Sequence, residues 1–543
     1  MLRDLPLYGK VHWEQYFQKA FQIYAELWKY QQDNRQALTD EGLKRWEIGD
    51  VASRISQLYY NYYLRTSGLS FLTESHTFYE AIRARQYYPQ QEEEDFLLIK
   101  QLRYYARFII VGLLLNKRDE VWEQLQEFKN LVEVFSKDAQ ASDVNEWRAV
   151  IDEVTTFLEA DQVSRKPVEN SRQELQLTMR CQQTSVLAGI PFTAPFLRLH
   201  EVLLASYFSR QIKVAELPLD MYRMLQTLEW EDPTTSGSLS PDRHYNNGAE
   251  WSEGQAATEN PAKYLLYRPS ASHFLAVLAT ACEALPQNSV LLVYLAAASQ
   301  HARLTSTASL STLHVDDAGQ PRSGSQVSDS VDGDEPSGLC LMPPTSSGLG
   351  ESYVYPEDIL PFTRRPLFLV VDSDNSRVFG SIEGQERSYS AVCLMSPTQQ
   401  PPEVMRPQQA GRLFTLFLTL PAVAVCFLAG ESNPEPQTLV QLQDMIESVQ
   451  LDWGEQLAEM AANTDWTTTW VSMFGDVLLR RLVLRFLLCR ALFALHKVYG
   501  GVDEYQPTCF PAFPPVVAPT SELITGGVRR ILALIQKEAD FNV

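Results

Sequence analysis

The chain is poor in the residues that mark the commoner chemistries. Its seven cysteines, Cys181, Cys282, Cys340, Cys393, Cys426, Cys489 and Cys509, are too widely spaced for a CxxC zinc knuckle or redox pair. Several sit inside apolar runs, where a free thiol behaves as a small hydrophobe. This usage fits a reducing compartment. The eight histidines show no metal-ligand spacing. No GxGxxG, P-loop, GxSxG or HExxH pattern occurs, so the common dinucleotide, nucleotide, serine-hydrolase and zinc-protease signatures are missing. Positive charge is also short. The formal net charge is −21, which repels phosphate backbones and argues against strong direct nucleic-acid binding. The opening Leu2-Arg3-Asp4-Leu5-Pro6 lacks an apolar signal-peptide core, so none is expected there. The longest uncharged apolar run, Leu413 to Gly430, is short for a membrane span and holds Pro421 at its centre. It is expected to form two short buried elements joined at that proline, and membrane contact is not expected.

What is present is chain enough for several cores: 543 residues, 45% of them hydrophobic and 11% aromatic. Residues 1–160 read as a stack of helices. Trp13, Tyr16, Phe17, Ala20, Phe21, Tyr24, Leu27 and Trp28 recur at three- and four-residue spacing, which predicts one broad apolar face. Helical patterns of similar length follow to Glu159, and their short breaks require antiparallel packing. Ile55, Leu58, Tyr59 and Tyr62, followed by Phe78, Tyr79 and Ile82, resemble a divergent tetratricopeptide-like pair. Leu102, Tyr105 and Ile109, followed by Trp122, Leu125 and Phe128, resemble a second.

The rest reads as an α/β domain with a mainly parallel sheet. Leu367 to Val371 and Ala391 to Met395 are apolar runs of strand length without alternation, as in strands buried on both faces. The nineteen residues between them leave room for a crossover helix. The fold class is thus α plus α/β. Residues 1–160 form the helical repeat-like domain, 161–232 a connecting mixed region, and 233–260 a loop. Residues 261–298 open the α/β domain with its first strand at Val290 to Leu295. Residues 299–352 form a Ser-, Gly- and Asp-rich insert expected to be disordered, and 353–543 complete the domain. The arginines of the apolar run Val471 to Tyr499 are expected to reach solvent or meet acidic groups.

Asp372 and Ser396 end the two strands, where ligands of open α/β sheets gather. Asp372-Ser373-Asp374 after a strand resembles the nucleophile and acid/base pair of magnesium-dependent haloacid-dehalogenase-like phosphatases, with Ser396 as second motif and Asp476 as third site. The lysine that should neutralise phosphate is missing between Ser396 and Asp476. Asp372, Asp374 and Ser376, with Thr398, also form an imperfect DxSxS metal pattern. A plainer role is helix capping by Asp372 and Ser373. Catalytic, cofactor-binding and metal residues are accordingly expected to be none, with Asp372, Asp374 and Ser396 as the candidates to inspect.

Several stretches together resemble the SCAI family, suppressor of cancer cell invasion. They include Leu2-Arg3-Asp4-Leu5-Pro6, Gly42-Leu43-Lys44-Arg45-Trp46 and Ser56-Gln57-Leu58-Tyr59-Tyr60. Tyr62-Tyr63-Leu64-Arg65-Thr66, Leu102-Arg103-Tyr104-Tyr105-Ala106-Arg107-Phe108, Met224-Leu225-Gln226, Lys263-Tyr264-Leu265-Leu266-Tyr267, Pro361-Phe362-Thr363-Arg364, Leu413-Phe414-Thr415-Leu416-Phe417-Leu418 and Phe474-Gly475-Asp476 are among the rest. The resemblance fades at 161–210, in the insert and after Gly500. It implies a non-enzymatic protein of nucleus and cytoplasm. It also implies a corepressor of myocardin-related transcription factor with serum response factor, downstream of Rho signalling and tied to cell migration. Chromatin or DNA-repair proteins are further implied partners. It carries over no catalytic residues, and it places serine where this chain has Asp374.

Overall fold

The computed structural model describes residues 10–88, 95–137, 141–161, 165–167, 174–176, 179–182, 185–192, 195–231, 260–299, 338–343, 351–383, 391–402, 410–431, 433–462 and 468–543. Helices α1 (Lys10–Asp33), α2 (Arg35–Asp40), α3 (Arg45–Thr66), α4 (Leu69–Ala84), α5 (Asp95–Leu114), α6 (Arg118–Phe135) and α7 (Ala141–Asp161) fill the first part. α3 packs on α4, α4 on α5, α5 on α6 and α6 on α7, as short turns require. The predicted face of α1 divides in two. Trp13 and Phe17 pack against Leu58, and Trp28 joins the main core, whereas Tyr16 and Leu27 face solvent.

A six-stranded sheet forms the second part. Its strands are β1 (Arg198–Tyr207), β2 (Ala262–Tyr267), β3 (Ser289–Ala297), β4 (Leu367–Asp372), β5 (Ala391–Met395) and β6 (Thr508–Phe510). They lie in the order β6-β5-β4-β3-β1-β2, all parallel except β6, which runs antiparallel to β5. The five parallel strands thus follow the doubly wound 2-1-3-4-5 pattern. β3, β4 and β5 are buried at every position, which explains their unbroken apolar runs. Leu291, Val293, Leu367 and Leu369 face helix α9 (Ala271–Ala284) on one side. Leu292, Tyr294, Phe368 and Val370 face the other side. There lie α8 (Leu219–Thr227), α10 (Leu413–Thr419), α11 (Pro421–Leu428), α13 (Thr468–Phe474), whose Trp470 meets Phe368, and α14 (Val477–Leu495), with α12 (Pro436–Ala462) and α15 (Glu522–Leu534) outside them.

Several expectations are corrected here. The sheet begins at β1 within the connecting region, not at Val290, and β2 precedes β3. The β4–β5 crossover carries a 3-10 helix, Ser376–Ile382, among its described residues. Nearly all of the 233–260 loop and most of the 299–352 insert lie outside the described residues. Within the insert, however, Leu339–Met342 is a buried strand paired with Ser352–Val354, because Leu339, Cys340 and Leu341 can repay their ordering by burial. α10 and α11 are the two short buried helices expected about Pro421. Among the described residues, no helix is long and apolar enough to cross a membrane.

Among the described residues, the buried arginines of α14 form no ion pair and donate to backbone carbonyls. Arg480 donates to the carbonyls of Phe474, Gly475 and Leu187, and Arg481 to that of Met179. Arg485 donates to Leu418 O and Thr419 O at 2.7 and 3.0 Å. It thereby satisfies the last turn of α10, where backbone carbonyls lack intrahelical donors.

One hydrophobic cluster spans the two parts, joining Phe108 and Val121 to Val202 and Leu292. Buried polar groups pin the seam. The C-terminal carbonyls of α5 accept from Tyr222 Oη, Gln226 Nε2 and Arg180 Nη2. Glu229 sits among Arg180, at 3.2 Å, Lys263, at 3.4 Å, and the hydroxyl of Tyr63. Breaking a buried ion pair from one side costs about 3–5 kcal/mol because the partner charge is stranded. Glu229→Ala is therefore expected to lower the unfolding free energy of the full chain, extrapolated from urea, by an amount in that range, with a lower midpoint. An unchanged midpoint would show that the seam does not depend on this carboxylate.

Candidate functional site

The carboxyl ends of β1, β3 and β4 meet at the place where parallel sheets of this order take their ligands. Asp372 ends β4 and is wholly buried. Arg412 Nε donates to its Oδ1 at 2.6 Å and Thr415 Oγ1 to its Oδ2 at 2.7 Å. Tyr294 of β3 backs Thr415, hydroxyl to hydroxyl, at 2.7 Å. The Arg412 guanidinium also lies 4.5 Å above the Phe208 ring, just past β1. One side chain thus bridges β1 to β4 across the end of β3, and the chain's own arginine occupies the strand-end crevice.

The loop that delivers Arg412 is tightly held. The Arg412 N–H donates to Asp220 Oδ1 at 3.1 Å, and Arg223 donates to Ala410 O. Gly411 between them has φ +82°, and a Cβ there would lie 2.3 Å from Asp220 Oδ1. Only glycine meets both conditions. Burial lifts the Asp220 carboxyl to about 6, with Arg223 opposing the rise and Asp372 adding to it.

The other predicted residues are engaged separately. Asp374 accepts from Ser299 N at 2.6 Å and Ser299 Oγ at 3.0 Å, which ties the end of β4 to the end of β3. Ser396 Oγ accepts from Ser373 N and donates to Ser373 O. Ser373 Oγ accepts from Asn375 N in a local turn, while the 3-10 helix that follows has Asn375 at its N-cap and no side-chain cap, so neither Asp372 nor Ser373 plays the capping role expected of the pair. Ser376 Oγ donates to Ser396 O, and Thr398 Oγ1 to Glu504 O. Asp476 N-caps α14, accepting from Leu478 N and Leu479 N, and also accepts from Leu199 N. Leu199 lies at the amino end of β1, some seven residues or roughly 20 Å from the crevice. The third phosphatase motif is therefore at the wrong end of the sheet. Magnesium needs near-octahedral oxygen ligation. The Asp372 oxygens, committed to Arg412 and Thr415, do not fit that demand. Among the described residues, no group of three or more His, Cys, Asp or Glu could hold a metal ion.

A different kind of surface lies on α1. Tyr16, Ile23, Leu27 and Tyr30 are exposed at 46, 54, 44 and 58%. Their spacing of seven, four and three makes a single stripe in the rhythm of helix-pairing seams. Beside it, Phe21, Tyr24 and Trp28 of α1 line a cleft with Ile55, Tyr59 and Phe78. Sequence spacing put Tyr16 and Leu27 in one core-facing stripe; the extra apolar residues at 23 and 30 were the sign that the helix has two.

Fold and site define a class: a helical layer continuous with a doubly wound sheet whose ligand crevice is closed by its own side chains. The chain belongs to the SCAI family, since the family model described as Protein SCAI matches residues 1–499. It is similar to Protein SCAI of Homo sapiens, 37% identical over 94% of this chain and 82% of the relative. The Mus musculus protein of that name is 38% identical over the same shares. A Protein SCAI homolog of Dictyostelium discoideum is 28% identical over 94% of this chain and 85% of its own length. No solved structure matches the chain.

Asp372→Asn strips Arg412 of its counter-charge in a buried setting and is expected to cost about 3 kcal/mol of stability in urea unfolding. Unchanged stability, together with loss of a magnesium-dependent p-nitrophenyl phosphate hydrolysis, would instead support the phosphatase reading. Asp220 gives a pH signature. Its folded value lies above the ordinary 3.8, so its contribution is present below about 4 and lost as pH rises through about 6. Asp220→Asn keeps an acceptor for Arg412 N–H and should remove that slope, gaining up to ~3 kcal/mol over the natural chain at neutral pH. Parallel stability-against-pH curves for the two proteins would contradict this.

Proposed function

We propose that the chain is a non-enzymatic protein-interaction module. In this reading it is a corepressor-type cofactor of the myocardin-related transcription factor and serum response factor axis. It acts in nucleus and cytoplasm downstream of Rho signalling, with consequences for cell migration. Chromatin and DNA-repair proteins are its further partners. In the same reading, α3–α4 and α5–α6 are divergent tetratricopeptide-like units, which serve to present side chains to other proteins. The observation that carries the proposal is the apolar stripe of α1, four large side chains left in water beside an aromatic cleft. Solvent-facing apolar patches of this kind mark interaction sites. Family membership supplies the direction, and the closed crevice at Asp372 removes the main reason to look for a reaction centre.

The test is Ile23→Asp with Leu27→Asp in cells carrying a serum-response reporter. Both positions are exposed, so thermal stability should not change. The natural chain is expected to repress the reporter and to co-precipitate myocardin-related transcription factor. The double variant should lose roughly thirtyfold in that association, as for loss of a central apolar anchor. A reporter indifferent to the natural chain, or a variant that still associates fully, would contradict the proposal.

A further inference from the structure

A second surface, on α3 and α5, has the opposite character to the rest of this acidic molecule. Phe96, Lys100, Arg103 and Arg107 of α5 recur at four, three and four residues and so share one side of the helix. Trp46, Asp50 and Arg54 recur in the same way on α3. The two rows are joined. Lys100 Nζ is 4.4 Å from the Trp46 ring and 3.6 Å from Asp50, which Arg54 also reaches at 3.1 Å. Trp46 and Phe96 meet edge to face at 5.6 Å, and Phe96 remains largely exposed. Burial raises the Tyr88 hydroxyl, and the charges of Asp50, Arg107 and Arg54 reach it as well. Beyond Trp46, Arg45 lies over the Tyr87 ring and Arg85 donates to the Tyr87 hydroxyl.

Four cations, Lys100, Arg103, Arg107 and Arg54, therefore share this face, with Arg45 and Arg85 by Tyr87, on a chain whose net charge is −21. Two acidic neighbours among the described side chains, Glu47 and Asp50, are already engaged. Glu47 turns back to the Lys44 N–H, and Asp50 is shared by Lys100 and Arg54. Arg103, exposed, and Arg107, half-buried, are in no ion pair among the described residues. Guanidinium forks bind carboxylates through paired hydrogen bonds, and an exposed aromatic corner offers an apolar seat. The ligand that satisfies both is a peptide mixing acidic with large apolar residues, the composition of amphipathic activation segments. A nucleic acid fits less well. Glu47 and Asp50 lie within the face, where an unbroken row of phosphates would meet them, whereas a peptide can set carboxylates against the arginines and apolar side chains elsewhere.

We infer that the α3–α5 face docks an acidic, aromatic-containing peptide segment of a partner protein. Its carboxylates engage Arg54, Arg103 and Arg107, and one large apolar side chain rests on Trp46 and Phe96. The inference rests on the interaction-module reading and names the chemistry of one partner segment.

The test uses the full chain and a fluorescein-labelled synthetic peptide that alternates Asp and Glu with Phe and Leu, read by fluorescence anisotropy at low and physiological salt. Binding should weaken with salt. Arg103→Glu with Arg107→Glu should weaken it by about tenfold or more, and so should exchange of the peptide's Phe and Leu for Ser. Phe96→Ser should weaken it as well, whereas Lys19→Glu on α1 should leave it unchanged. Three results would overturn the inference: no binding by the natural chain, equal binding by the double arginine variant, or an oligodeoxythymidine that occupies the same face more tightly than the peptide. Failure of the serum-response reading alone would leave this peptide binding intact. Failure of the docking face alone would leave the reporter response intact.

Discussion

The ion pair between Asp372 and Arg412 is the constraint on which the α/β part depends. A carboxylate at the end of a fully buried strand has no water to solvate it, and stranding it costs several kcal/mol. The chain meets this demand from within. Arg412 and Thr415 take both oxygens, Tyr294 backs Thr415, and Phe208 covers the guanidinium. That arrangement fixes its surroundings. It requires the tight turn at Gly411, the nearby Asp220 on α8 and the start of α10 directly after Arg412. The strand-end crevice is thus a structural joint, and its polar groups have internal partners.

The same economy of internal pairing extends to the helical layer. Arg118 meets Asp161 at 2.7 Å, Glu229 gathers Arg180, Lys263 and Tyr63, and the last carbonyls of α5 receive side chains from the α/β part. Buried polar groups of this density are costly when half satisfied and rigidifying when paired. They make the helical layer and the sheet one body with a shared core. What is left for partners is the outside: the apolar stripe of α1 and the cationic, aromatic face of α3 and α5.

Much of this was legible from residues alone. Leu367 to Val371 and Ala391 to Met395 read as buried parallel strands because both faces are covered and no polar alternation is needed. Pro421 marked the junction of two short helices because it cannot continue one. β1 was harder. Its run is interrupted by His200 and Glu201, where a bulge shifts the register, so it lacks the uniform signature of β3 and β4. The strand Leu339–Met342 was masked by its polar neighbours, since composition averages over a window wider than four residues. The arginines of α14 misled for a different reason. Charge on an apolar helix suggests a carboxylate partner, yet backbone carbonyls at helix ends serve as well and leave no trace in the sequence. At the candidate site, Asp372 was legible as important. That its partner would be Arg412, forty residues on, was not, because pairing across a fold carries no local signal.

The proposed role follows from this division between a closed interior and a patterned exterior. A rigid body with distinct apolar and cationic faces can hold more than one partner segment at once, which suits a cofactor joining regulators. The most direct measurement is an anomalous-scattering map from crystals of the full chain soaked in manganese, which substitutes for magnesium at oxygen sites. The account predicts no manganese at Asp372, Asp374 or Ser396, with Arg412 still hydrogen-bonded to Asp372. A manganese peak bridging Asp372 and Asp374, with Arg412 displaced, would contradict it.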